Sequence, residues 1–256
     1  MVVLTLAATA AHADWWDEDR IHGEGPVKEE RREVRGVDAV ELATFGTLIL
    51  EQADSVSLYV VAQENLLEYF QTDVRSGVLR IQTKQRVNLK ATEPVEFHLT
   101  LPKLEDLILS SSGDAQMSTW KADRLYFSLE SSGDLECDSL VCPELDVELE
   151  SSGDLILHAW HGESLSARLS SSGDVRIYKG EADVVDVDLH SSGDFRAEGL
   201  ECARARVNTN SSGDAYLHVT DSLHARASSS GDVIYFGDPD VDSRTSSSGD
   251  IIRKRR

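Results

Sequence analysis

Aromatic side chains are scarce, at 6% of the 256 residues, so any core must be filled by aliphatic groups. Cysteine is scarcer still. Cys137, Cys142 and Cys202 make an odd and small set, which is no disulfide framework. Positive charge is in deficit: 25 Lys and Arg stand against 46 Asp and Glu, for a net charge of −21. So acidic a surface repels a phosphate backbone, which excludes nucleic acid as a partner. Beyond the first residues no apolar run is long enough for a membrane helix, so no transmembrane span is expected.

Residues 1–13 contain no Lys, Arg, Asp or Glu. The apolar run Val2–Ala10 leads into Ala11-His12-Ala13, a small-x-small cleavage site. This reads as a signal peptide over 1–13, with its basic n-region missing and the true start expected upstream. The mature protein, from Asp14, is then expected in the periplasm, outside the cell or on its surface.

Residues 14–33 are charged and aperiodic and read as an exposed lead-in, with Trp15 and Trp16 packing loosely on the first strands. From Val34 the pattern is β. Thr47–Leu50, Ser55–Val60, Val78–Thr83 and Val95–Leu101 read as strands, and Glu64–Phe70 as a single helical turn. Residues 34–104 are expected to form a β-rich cap that continues into the rest of the chain and covers its open end.

Residues 105–256 are a repeat array. Ser-Ser-Gly-Asp occurs eight times, with glycines Gly113, Gly133, Gly153, Gly173, Gly193, Gly213, Gly231 and Gly249. The first six are 20 residues apart and the last two steps are 18. Eight residues before the glycines come Glu105, Leu125, Leu145, Leu165, Val185, Ala205, Leu223 and Val241. The positions six and four before are also mostly apolar, with polar residues between. This is the period of a half-buried strand. Two and four residues after each glycine the alternation resumes, as in Leu155 and Leu157 or Val175 and Ile177.

Each unit is therefore a strand, a tight glycine turn, a second strand and a looser corner, where the shorter repeats lose their two residues. The fold class is all-β, a parallel β-helix of about eight coils, right-handed by the crossover rule. At about 4.8 Å per coil it makes a rod of roughly 35–40 Å. A propeller blade would need about twice this period.

Two readings compete for the phrase. In the first it is a structural turn: glycine supplies φ > 0, and Ser and Asp hydrogen-bond to backbone N–H groups. In the second, Asp114, Asp134, Asp154, Asp174, Asp194, Asp214, Asp232 and Asp250 form a calcium row. Stacked carboxylates about 4.8 Å apart repel by roughly 0.9 kcal/mol per pair in water, so something must offset them. The turn reading is preferred, because identical repetition is what a stacked turn requires.

Cys142 and Cys202 share a corner column three coils apart, about 14 Å and too far for a disulfide, so free thiols are expected. Trp120, Leu140, Trp160 and Leu200 share another column, which either closes a corner of the core or offers a row for sugars to stack on; the first is preferred. His158, His161, His190, His218 and His224 lack the spacing of a zinc site. No set of acids and bases breaks the regular pattern, so no catalytic and no cofactor-binding residue is assigned, and no cofactor is expected. The last residues, Ile251 to Arg256, put Arg253 at an inward position. Such charges blunt an open strand edge, or else grip an acidic neighbour, which includes self-association at the C-terminal coil.

Val34-Arg35-Gly36-Val37-Asp38-Ala39-Val40, Ser76-Gly77-Val78-Leu79-Arg80-Ile81 and the recurring Ser-Gly-Asp turns resemble the putative auto-transporter adhesin, head GIN domain family. The resemblance implies an exported β-helical protein, similar in shape to pectin-lyase-like folds but without their catalytic residues, with a role in adhesion. The expected function is that of a non-catalytic scaffold, a cell-surface adhesion or envelope interaction module whose partner is a surface glycan or an envelope protein. The alternatives are a calcium-dependent glycan-binding protein, using the Asp row or the Trp corner, and a polysaccharide-active enzyme.

Overall fold

The computed structural model describes residues 20–255. The expected signal peptide, Trp15 and Trp16 lie outside the described residues. The chain is a β-solenoid whose eight glycine corners bound about seven turns.

The coils stack in parallel and in register. On the first face, Leu125, Leu145, Leu165, Val185, Ala205, Leu223 and Val241 pair in succession. On the second, the column runs from Ala115 through Leu135, Leu155, Val175, Phe195, Ala215 and Val233 to Ile251. Both columns point inward, and all but the terminal Val241 and Ile251 are buried. Each coil alone could not bury its apolar side chains; stacking gives every rung two neighbours.

The looser corner is more ordered than its sequence suggests. It carries a third ladder, in which Trp120 pairs with Leu140, Leu140 with Trp160, Trp160 with Gly180 and Gly180 with Leu200. In the Gly213 coil this corner shortens. The register jumps between Ala197 and Glu201, with Ala197 opposite Leu217 and Glu201 opposite the next residue, His218. The missing length of the 18-residue repeats is taken out here, away from the tight turn.

The N-terminal part folds onto the same stack. Ala39–Ala43 and Thr47–Gln52 pair with Asp106–Leu109 and Asp114–Lys121, one coil below the first Ser-Ser-Gly-Asp turn. Here Gly46 takes the place of the repeat glycine, and Thr47 that of the aspartate. Val78–Thr83 and Glu96–Leu101 form one more parallel rung beneath. The coil of 39–52 is thus sandwiched between rungs made later in the chain. Antiparallel strands Phe70–Arg75 and Ser57–Gln63 lie below them.

Val27–Arg32, from the charged lead-in, pairs outermost, with its side chains mostly exposed. Such an edge, Lys28-Glu29-Glu30-Arg31-Arg32, resists further strand addition. The helical turn is a 3-10 turn at Leu67–Tyr69. Phe70 packs edge-on against Phe45 and Phe97, closing the core at this end.

Candidate functional site

The aspartate row is a hydrogen-bonded ladder. Oδ1 of Asp114 accepts the backbone N–H of Asp134 at 3.0 Å. The same bond repeats from Asp134 to Asp154, Asp154 to Asp174 and onward to Asp250, at 2.8–2.9 Å. The turn explains why a side chain is used. The N–H of Gly153 donates down to the carbonyl of Ser131, whereas that of Leu155 donates up to the carbonyl of Asp174. Between them the N–H of Asp154 faces the coil below at the corner, and the Asp134 carboxylate supplies its acceptor.

A hydrogen bond to a charged group contributes about 1.5–3 kcal/mol. That exceeds the roughly 0.9 kcal/mol of repulsion between neighbouring carboxylates in water. Arg176 and Arg196 add ion pairs to Asp174 and Asp194, at 3.2 and 2.8 Å. Among the described residues no group of three His, Cys, Asp or Glu side chains comes together to hold a metal.

The glycines are required for a different reason than the turn type suggests. None of the eight has positive φ; the left-handed glycines are elsewhere, among them Gly36, Gly46 and Gly77. A Cβ on Gly153 would overlap the carbonyl oxygen of Gly133 and come within 2.9 Å of that of Ser131. The same holds in the other stacked turns. Coils about 4.8 Å apart bring backbone onto backbone at this corner, and only a residue without a side chain fits.

Trp120 and Trp160 are fully buried, each 0% exposed. They fill the third corner and offer no face to a sugar. Nε1 of Trp160 donates to the carbonyl of Cys142 at 3.2 Å. The three thiols are free and buried, and burial pushes Cys137 and Cys202 up to about 12 and Cys142 up to about 11. The histidines are dispersed. His158 pairs with Glu136 at 2.6 Å, His224 with Asp242 at 3.0 Å and His218 with Glu201 at 3.9 Å; His190 lies 3.4 Å from Asn210, and His161 is exposed.

With the core filled by side chains, what can act lies on the outside. On the first face, oppositely charged and polar groups pair between coils: Arg124 with Asp146, Tyr126 with Glu148, and Asn208 with Asp188. A groove of about 790 Å³ runs beside it, edged by Lys103, Asp106, Lys121, Arg124 and Tyr126. Burial raises the Asp106 carboxyl, and burial followed by the hydrogen bond to Glu148 raises the Tyr126 hydroxyl.

The second face has a different character. Ile156, Arg176, Arg196 and Tyr216 succeed one another in one outward row, which continues in register to the buried Ile234. Beside it His158 and Tyr178 stack, with ring centroids 5.4 Å apart and planes 12° from parallel. Nothing in the repeat phrase points to this face. Its signal lies in the non-repeating residues three and five positions after each glycine.

The model of the family described as putative auto-transporter adhesin, head GIN domain, matches residues 37–239. Comparison with curated proteins finds no match. Among solved structures, a putative adhesin from Parabacteroides distasonis is 22% identical, with a TM-score of 0.84 over 92% of this chain and 100% of its own. A putative lipid binding protein from the same species is 26% identical, with a TM-score of 0.85 over 92% of this chain and 99% of its own. A putative adhesin from Bacteroides fragilis is 18% identical, with a TM-score of 0.66 over 91% and 100%. Solenoid, turn array and match over most of the length agree, and the chain belongs to the putative auto-transporter adhesin, head GIN domain family.

Proposed function

We propose that this protein is a non-catalytic β-solenoid scaffold that works after export as a cell-surface adhesion or envelope interaction module. The observation that carries this is the use made of the repeated carboxylates. Seven of the eight aspartates of the phrase each accept the amide of the next coil. A row committed to holding coils together is a structural spine, and it leaves the outer faces to meet a partner. The family's description as an adhesin head supports the same reading.

The calcium-dependent alternative is weakened by the same bonds, since one oxygen of each of those carboxylates is engaged by a backbone N–H. For an enzyme, the carboxylates would have to depart from the pattern at one place. On the first face Asp146, Glu148 and Asp188 instead pair with Arg124, Tyr126 and Asn208 from coil to coil. A lipid, as the description of the second Parabacteroides distasonis protein suggests for that molecule, would here have to lie on the outside, because the interior is occupied by side chains.

The test is saturable binding of the purified full chain to bacterial envelopes and to host-cell surfaces, beside a panel of polysaccharides assayed for cleavage. Binding without cleavage is expected. Turnover of a polysaccharide that a single substitution abolishes would overturn the proposal.

A further inference from the structure

We propose that the second face binds a neutral sugar ring of an extended glycan in the groove between the Gly173 and Gly193 coils. This inference rests on the adhesion reading and gives it a site and a ligand class. A pyranose has an apolar C–H face edged by hydroxyls that both donate and accept. Its site needs an aromatic face flanked by fixed donors and acceptors.

Arg176, Ile177, Tyr178, Arg196, Glu198 and Gly199 line a groove of about 460 Å³, in the size range of ligand sites. At 56% exposed, Tyr178 is the most exposed large apolar or aromatic side chain among the described residues. His158 stacks on one face of its ring and is itself held by Glu136 at 2.6 Å. The ring is thus braced on one face, and it lines the groove.

The polar edge is equally fixed. Arg176 and Arg196 are directly paired on adjacent rungs, about 4.8 Å apart. Each is tied to the aspartate two residues before it, and Arg196 also lies 4.6 Å over the Tyr216 ring. A guanidinium has five N–H donors, so each keeps donors for a hydroxyl. Glu198 lines the same groove, and its carboxylate has about four acceptor sites, more than one partner takes up. A Cβ on Gly199 would overlap the carbonyl of Tyr178, so this lining position carries no side chain.

Charge selects among sugars. The two arginines are balanced by their aspartates, and the whole chain carries −21, so an anionic glycan is repelled where a neutral one is not. A peptide strand is a poorer occupant, because both coils already have neighbours on each side and offer no free edge.

The experiment is affinity electrophoresis of the full chain in gels containing xylan, mixed-linkage β-glucan or galactomannan, with polygalacturonate as the acidic probe. Retardation by at least one neutral polysaccharide is expected. Tyr178→Ala should weaken it about fivefold or more and Tyr178→Phe less than about twofold, as for a lost and a kept stacking face. Both variants should melt with the wild type, since the side chain is exposed. Unchanged retardation of Tyr178→Ala would overturn the site, and preference for polygalacturonate would overturn the neutral class. Failure on all four gels by a protein that still binds envelopes or cells would overturn the glycan and leave the adhesion reading standing. Loss of that binding as well would remove both.

Discussion

Oδ1 of Asp134 accepts the backbone N–H of Asp154 at 2.8 Å, and Oδ1 of Asp154 accepts that of Asp174 at the same distance. The side chain acts as a substitute rung where the backbone turns a corner. Asp154→Asn keeps the acceptor oxygen and removes a charge, so it should change stability by less than about 0.5 kcal/mol, with relief of repulsion in its favour. Asp154→Ala leaves the half-buried Asp174 amide unpaired and should cost about 1–2 kcal/mol. Urea denaturation of the two variants distinguishes a hydrogen-bonding role from one that needs the charge.

Calcium offers an independent check on the same row. A ligand that binds only the folded state raises its stability in proportion to the logarithm of its concentration. With the row offset by backbone amides, the melting temperature should be the same in millimolar calcium and in chelator. A rise of several degrees with calcium would mean that the carboxylate oxygens outside the ladder hold an ion after all.

Gly153→Ala separates the two explanations of the repeat glycine. Were the residue needed only for a left-handed conformation, the change would cost about 1 kcal/mol, as expected at Gly36, where φ is +62° and a Cβ would meet nothing within 4 Å. At Gly153 the added Cβ runs into backbone of the coil below, which cannot move without parting the ladder. Gly153→Ala should therefore cost well over 3 kcal/mol or prevent folding, while Gly36→Ala stays soluble and cooperative. Comparable melting of the two would refute the close-approach account.

That contrast also marks what the sequence makes legible. Period-two apolar columns and a fixed 20-residue spacing are enough for coils, inward faces and a tight turn, because stacking demands identity at every rung. The reason for glycine was hidden, since a turn residue with φ > 0 and one pressed against its neighbour look alike in a sequence. The column of Trp120, Leu140, Trp160 and Leu200 is legible as a corner but not as a third ladder, because Gly180 interrupts it and its strands are as short as Trp160–His161. The coil at 39–52 was disguised by Phe45-Gly46-Thr47 in place of the usual phrase. The Tyr178 groove was hidden for the opposite reason: function belongs to outward positions, which the repeat leaves free to vary.

The buried thiols predict a slope in the alkaline limb of stability. Burial pushes Cys137 and Cys202 up to about 12 and Cys142 up to about 11, while on unfolding each returns towards the ordinary 9.0. Between those values the folded chain binds more protons than the unfolded one, so unfolding releases them and is favoured by alkali. The contribution is complete below pH 9 and is lost progressively as pH rises through 9 towards 11–12. Urea midpoints at about pH 8 and about pH 10 should therefore differ more for the wild type than for Cys137→Ala/Cys202→Ala, although the variant is less stable at both. The thiols should also resist a thiol reagent in the native state and react fully in urea. Rapid native labelling would show that the solenoid opens at these coils and that the thiols are not held within a closed core.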